Sequence, residues 1–365
     1  MLIFDEKLNF DTALFQPLDV PKEQIVYFDI ETTGFSPATS SLYLIGAVFH
    51  DGDNYVMRQW FADTKEAEAE IISSFMDFIK KFSALVNYNG TVFDIPFIIK
   101  KSEFYNIPCD FSGIVNIDIY KIINPVKNLF KLDNLKQKSV EQFMGVHRED
   151  RYSGGDLINV YLEYLAGCDS SLMQLLLLHN HDDILGMVRL LPVINYTCLL
   201  NRQYDVVSVN LEDTTTLSGA PKKEIVIELA LDSFLPKRIS VAGEFSYLTA
   251  AAHTAKLCIT AYTGELKYFY SNYKDYYYLP EEDESVHKSI AFYVDKNFRT
   301  RAKAANCYSK RTGVFLPQHT ETISPYFKID YYDKITYFEY TEDFTDSKEK
   351  ILDYCNDIFN HILQK

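Results

Sequence analysis

Asp29 and Glu31 close the apolar run Ile25-Val26-Tyr27-Phe28-Asp29-Ile30-Glu31-Thr32-Thr33-Gly34. In a strand, residues i and i+2 point to one face, so the two carboxylates converge on one small volume. Anions held that close repel unless cations fill the gap, and the spacing therefore reads as a metal site. Taken alone, the pair also fits an exposed strand end with ordinary surface acids. Gly34 permits a tight turn directly after it, so further acids are sought downstream.

Three elements could bring those acids in. Leu42 to Phe49 and Tyr55 to Phe61 read as strands joined through the turn Asp51-Gly52-Asp53. Ile71, Ile72, Phe75, Phe78, Ile79 and Phe82 then recur at helical spacing across Glu66 to Phe82, and Ala84 to Tyr88 reads as a short buried strand. That strand runs into Asn87-Tyr88-Asn89-Gly90-Thr91-Val92-Phe93-Asp94, which places Asp94 near the start of a helix. There it is a third candidate ligand, or an acid favoured by the helix dipole. A leucine-rich helix ending before Pro192 carries His179-Asn180-His181-Asp182-Asp183. His179 and Asp183 are four apart and share a face, and a polar pair among core leucines calls for a metal, water or substrate.

Composition limits what such a site belongs to. At 365 residues the chain is long enough for two domains, and 47% hydrophobic with 15% aromatic residues supplies substantial cores. No uninterrupted apolar stretch is long enough to span a bilayer, and the charged N-terminus (Asp5, Glu6, Lys7) lacks a signal-peptide pattern. No membrane association and a cytoplasmic location are therefore expected. The six cysteines are scattered without a Cys-x-x-Cys pair and read as reduced structural thiols. A net charge of -15 argues against indiscriminate nucleic-acid binding, although charge can be local.

In their order along the chain, Asp29, Glu31, Asp94, His179 and Asp183 resemble the site of the DEDD (DnaQ-like) 3′–5′ exonucleases. Asn87-Tyr88-Asn89-Gly90, Asn116-Ile117-Asp118-Ile119-Tyr120, Leu132 to Leu135, Arg151-Tyr152-Ser153-Gly154-Gly155-Asp156 and His179-Asn180-His181-Asp182-Asp183 are similar to its YprB-like branch of predicted exonucleases. The resemblance covers roughly residues 20 to 200. It implies an α/β, ribonuclease H-like mixed sheet flanked by helices, and a metal-dependent 3′–5′ exonuclease acting on single-stranded DNA or RNA ends. It also implies two Mg²⁺ or Mn²⁺ ions: Asp29 would bridge both, Glu31 and Asp183 would complete the nucleophile-side ion, and Asp94 would hold the second. His179 would orient or deprotonate the attacking water. Members of this superfamily usually carry Tyr four residues, or His five residues, before the last Asp, whereas His179 stands four before Asp183. Asp182 is the alternative last ligand. Asp118 reads as a positioning residue or an end-of-strand acid, and Asp156 as a cap near Leu157. Thr32, Tyr88, Asn89 and Phe93 are candidate substrate contacts, with core packing an equal account of Phe93.

The domain expectation is a ribonuclease H-like domain over residues 1–200, a connection over 201–222, and a smaller α+β domain over 223–365. In that last part Leu257 to Tyr262, Leu266 to Tyr270 and Tyr326 to Tyr340 read as strands, with turns at Thr263-Gly264 and Asp333-Lys334. Ser285 to Phe298 and Ser347 to Leu363 read as helices. Lys296, Arg299, Arg301, Lys303, Lys310 and Arg311 form a basic stretch without an intervening acid. It suits either a phosphate-tracking surface, with Arg299, Arg301 and Lys303 as the contacts, or a solvated face. Two other functions stay open: a catalytically silent nucleic-acid-binding module on the same fold, and a hydrolase of a small phosphodiester.

Overall fold

A computed structural model describes residues 1–8, 18–148, 152, 154–216 and 218–364. The chain divides into two compact units, Met1–Thr197 and Cys198–Lys365. The first runs β1 (Leu2–Leu8), β2 (Ile25–Thr32), β3 (Leu42–Asp51), β4 (Asn54–Phe61), α1 (Glu68–Ile79), β5 (Ala84–Asn87), α2 (Asp94–Tyr105), β6 (Val115–Asp118), α3 (Ile119–Ile123), α4 (Gln137–Met144), α5 (Gly154–Gly167) and α6 (Ser170–Leu190). Its six-stranded sheet has the order β1-β4-β3-β2-β5-β6. The β1–β4, β4–β3 and β3–β2 pairs are antiparallel, while β2–β5 and β5–β6 are parallel. This is an RNase H-like mixed sheet flanked by helices.

β2 and β3 are apolar almost throughout because both faces of the sheet are covered. Phe28 stacks on Phe75 of α1 at 5.4 Å between ring centroids, and Trp60 meets the same ring edge-on at 5.7 Å. Fully burying a phenylalanine such as Phe75 stabilises by about 1.5–3 kcal/mol. The helical period read over Glu66 to Phe82 becomes α1, whose buried residues include Ile71, Ile72, Phe75 and Ile79.

The second unit is built on antiparallel sheets: β7 (Tyr204–Thr215), β8 (Pro221–Ala242), β9 (Ser246–Phe269), β10 (Tyr276–Leu279), β11 (Glu284–His287), α7 (Lys288–Ala291), β12 (Thr300–Arg301), β13 (Tyr308–Gln318), β14 (Tyr326–Phe327), β15 (Thr336–Glu339), α8 (Glu342–Thr345) and α9 (Lys348–Gln364). One sheet has the order β14-β15-β13-β9-β8-β7, and a three-stranded sheet has the order β11-β10-β12.

Three expectations give way here. Most of 201–222 is strand rather than connection, because β7 pairs with β8 from Tyr204↔Leu231 to Thr215↔Pro221. Thr263-Gly264 is no turn: both residues lie within β9 and pair with Val314 and Gly313 of β13, so the ladder overrides the local turn preference. Ser285 to Phe298 is not one helix. Ile290, Phe292 and Tyr293 are exposed, which leaves no apolar stripe for a long helix to bury, and Tyr276 to Leu279 recruits Glu284 to His287 into a strand pair instead. The C-terminal helix does form, with Ile351, Tyr354, Cys355, Ile358, Phe359 and Ile362 as its buried stripe.

Candidate active site

β2 carries Asp29 opposite Gly46 and Glu31 opposite Leu44 of β3, and the pairing slips between Glu31 and Thr32. Thr32 Oγ1 donates to Gly34 O at 2.9 Å, which tightens the turn that follows. On the other side β5 pairs with β2 only as far as Tyr27. Beyond that point the Ile30 N–H donates to Asp94 Oδ1 at 3.3 Å, so the first residue of α2 joins the two β2 carboxylates.

α6 lies across the same strands. Gly46 makes its close approach possible, since a Cβ there would stand 2.0 Å from Asn180 Oδ1 and 2.3 Å from Ile184 Cδ1. Asn180 is fully buried; its Nδ2 donates to Asp29 Oδ2 at 3.3 Å, and its Oδ1 accepts from Gln59 Nε2 at 3.0 Å. With the helix fixed this way, His179 Nε2 lies 3.2 Å from Asp183 Oδ2 and 3.6 Å from Glu31 Oε1. Glu31, His179 and Asp183 each offer a ligand atom, all within 4.8 Å of one another.

The cluster crowds its negative charges together. Burial, reinforced by Asp94, Glu31 and Asp183, pushes the Asp29 carboxyl well above the usual range, and Arg148 only partly opposes this. Burial also pushes Asp94 up to about 7, against hydrogen bonds from backbone N–H groups including that of Ile30. Several carboxylates crowded into little water form a hard oxygen donor set, which suits Mg²⁺ or Mn²⁺ better than thiophilic metals.

Some site residues were missed in the sequence. Arg148 forms ion pairs with Glu141 and Asp183, and those pairs raise its guanidinium pKa although burial alone would lower it. Gln137 Nε2 donates to Asp183 O at 2.6 Å and to Glu141 Oε1 at 2.9 Å. Gly186 was the available signal: a glycine inside a leucine-rich helix marks a close approach, and a Cβ there would stand 2.1 Å from Glu141 Oε1. Phe35 was also passed over. It is 91% exposed, and its ring meets that of Phe93 at 6.0 Å.

The remaining candidates fall into two groups. Asp118 organises the loop before Asp94, accepting from Asn89 N at 2.8 Å and Thr91 N at 3.1 Å while capping α3. Tyr88 spends its hydroxyl on Leu135 O at 2.6 Å, and Asn89 adopts φ 65° to make the turn. Asp182 is buried and lies 3.4 Å from His181 Nδ1. Asp156 sits in the first turn of α5, while Arg151 and Ser153 of the same motif lie outside the described residues. Arg299, Arg301 and Lys303 belong to the second unit. The Arg299 and Arg301 guanidinium carbons lie 5.0 and 4.7 Å from the Tyr277 ring centroid, Lys303 is exposed, and Lys310 and Arg311 are ion-paired to Asp283 and Glu339. The basic stretch is thus spread over a turn and two strands rather than one helix face.

Residues 26–195 match the RNase_H superfamily. A DNA polymerase of Archaeoglobus fulgidus is 25% identical over 154 residues, which are 36% of this chain and 18% of that protein. Among solved structures, the family B DNA polymerase of Pyrobaculum calidifontis aligns with TM-score 0.39 and 18% identity over 70% of this chain and 35% of its own. E. coli exonuclease I in complex with a dT13 oligonucleotide aligns with TM-score 0.32 and 12% identity over 56% of this chain and 54% of its own. The chain therefore spans less than a fifth of the curated relative, and about a third to a half of these structures. Among the described residues no helix is long and apolar enough to cross a membrane.

Proposed function

Starting from an RNase H superfamily domain in the first unit, we propose that the chain is a metal-dependent 3′–5′ exonuclease of the DEDD superfamily, YprB-like branch, acting on single-stranded DNA or RNA ends. One observation carries the reading: Asp29, Glu31, Asp94 and Asp183 come from three separated elements into one cluster, Glu31 and Asp94 buried and the other two half-buried, and their mutual repulsion is only partly offset by Arg148. The polarity rests on the resemblance of the ordered motifs.

Asp29 would bridge two ions, Glu31 and Asp183 would complete the nucleophile side, and Asp94 would hold the second. Two Mg²⁺ or Mn²⁺ ions, when bound, would neutralise the scissile phosphate and lower the pKa of a water. His179 Nε2, facing the space between Glu31 and Asp183, takes the proton of the attacking water. The water oxygen bonds to phosphorus as the bond to the 3′ oxygen of the preceding nucleotide breaks; that oxygen takes a proton from solvent, and a 5′-mononucleotide leaves. Asn180 and Gln137 keep Asp29 and Asp183 in register, and exposed Phe35 beside Phe93 offers a surface on which a terminal base can stack.

The test is digestion of end-labelled single-stranded DNA and RNA with Mg²⁺ or Mn²⁺, comparing the parent with Asp29→Ala and His179→Ala. Metal-dependent shortening from the 3′ end is expected, with His179→Ala slower by about 100-fold or more and Asp29→Ala inactive. Binding of the oligonucleotide that survives Asp29→Ala, with no cleavage of either polymer by the parent, would replace this reading with the silent binding module.

A further inference from the structure

The second unit holds another cluster of ligating side chains, unrelated to the carboxylate site. Glu244 lies in the turn between β8 and β9, His319 follows β13, and His361 sits near the end of α9. Each offers one ligand atom, and these atoms all lie within 4.8 Å of one another. Two ligands of one transition-metal ion stand at most roughly 4 Å apart, given bonds of about 2.0–2.2 Å. In a tetrahedral site the separation is about 3.4 Å, so a closure of up to about 1.5 Å completes the set.

The surroundings hold these residues in place. Asp357, one turn before His361 on α9, is buried and accepts from His319 N at 2.8 Å, Thr320 N at 3.0 Å and Thr320 Oγ1 at 2.6 Å. Tyr354 Oη, a turn earlier, donates to Pro317 O at 2.9 Å. The end of β13 is thus fastened to the helix that carries His361. The β8–β9 turn is closed by Gly243 N donating to Ser246 O at 2.7 Å, and it packs so closely on the helix that a Cβ on Gly243 would stand 3.3 Å from Ile362 Cγ1.

The two imidazoles lie face to face, with centroids 3.4 Å apart and planes 5° from parallel. Two cationic rings at that separation would repel strongly, whereas neutral imidazole is the form that binds metal. The in-plane lone pairs of stacked rings do not converge, so binding requires one ring to turn about its side-chain torsions until both meet one ion.

We infer that Glu244, His319 and His361 bind a divalent transition-metal ion, of which Zn²⁺ is the representative, and that this ion clasps α9 to the end of β13 and the β8–β9 turn. Two imidazoles and one carboxylate suit zinc or cobalt, in contrast to the oxygen-rich set of the first unit. His319 and His361 also line a cleft of about 430 Å³ together with Thr320, Asp353, Asn356 and Asn360.

The test uses the full chain carrying Asp29→Asn, Glu31→Gln, Asp94→Asn and Asp183→Asn, which removes the carboxylate ligands of the other cluster. Titration with Co²⁺, followed by its visible bands, and with Zn²⁺, followed by calorimetry, is expected to show one equivalent bound and a raised Tm. His319→Ala and His361→Ala should each weaken binding by at least about 100-fold, and Glu244→Gln by about 10-fold. Circular dichroism with chelator present checks that each variant folds. Should a histidine variant unfold, Glu244→Gln, on an exposed turn, keeps the test decisive. Absence of a bound equivalent, or binding that all folded variants leave unchanged, overturns the inference.

Discussion

Asp94 shows what a crowded carboxylate costs a metal-free protein. Burial raises its pKa from 3.8 to about 7, so the folded state holds a proton that the unfolded chain gives up more readily. The sign follows: the stabilising contribution is fully present below pH ~4 and is lost as pH rises towards ~7. Asp94→Asn removes that penalty together with a metal ligand. In chelator, the variant's Tm is therefore expected to gain on the parent's as pH rises from 4 to 8, while metal-dependent cleavage disappears. Thermal unfolding across that range checks it, and a Tm gap that does not change with pH contradicts it. Arg148 carries the opposite expectation. Its guanidinium is the cation beside Asp183 and buried Glu141, and removing one partner of a buried pair leaves uncompensated charge. Arg148→Ala should cost about 3–5 kcal/mol in urea unfolding without metal. Mn²⁺ should return part of that loss by replacing the charge next to Asp183.

The placement of whole elements depends on a few close approaches. Gly46 lets α6 lie against β3, and Gly46→Ala would drive a methyl into Asn180 and Ile184. Overpacking of this kind costs about 1–3 kcal/mol, and a helix displaced by about 1 Å would lower turnover by roughly 100-fold. Gly113→Ala, where a Cβ meets nothing within 4 Å, is the control expected to leave both unchanged; equal effects of the two substitutions would refute the account. These approaches also mark what the sequence made legible. Period-two and period-four spacing were enough to pair Asp29 with Glu31 and His179 with Asp183, because a strand and a helix each impose one geometry on neighbouring side chains. The hairpin at Asp51-Gly52-Asp53 and the helix carrying Phe75 were readable for the same reason. Arg148 was not, because it lies outside any periodic element and finds its partners only through tertiary packing. Nor were β7 and the unbroken β9, where ladder pairing with β8 and β13 outweighed local turn and linker signals.

At the scale of the whole chain, a net charge of -15 sets a problem for any polymer of phosphates. Long-range repulsion slows encounter unless a local basic surface offsets it. Arg299 and Arg301 lie 5.0 and 4.7 Å from the Tyr277 ring centroid, bringing cations and an aromatic ring together, the combination on which single-strand binding draws. Lys310 and Arg311 are already matched by carboxylates and should add little. Each phosphate contact with a single strand contributes about 0.7 to the slope of log affinity against log salt concentration. Replacing Arg299, Arg301 and Lys303 together by Gln is therefore expected to flatten that slope by about 2 for an oligo-dT ligand. Lys310→Gln with Arg311→Gln should barely change it. Fluorescence anisotropy from 50 to 300 mM salt, with Ca²⁺ in place of the catalytic metals, measures both. The slope is the right readout because Arg299 also donates to Ala291 O, so its loss could weaken binding through local structure without changing the number of ions released. A slope unaltered by the triple replacement would place the polymer contact elsewhere on the molecule.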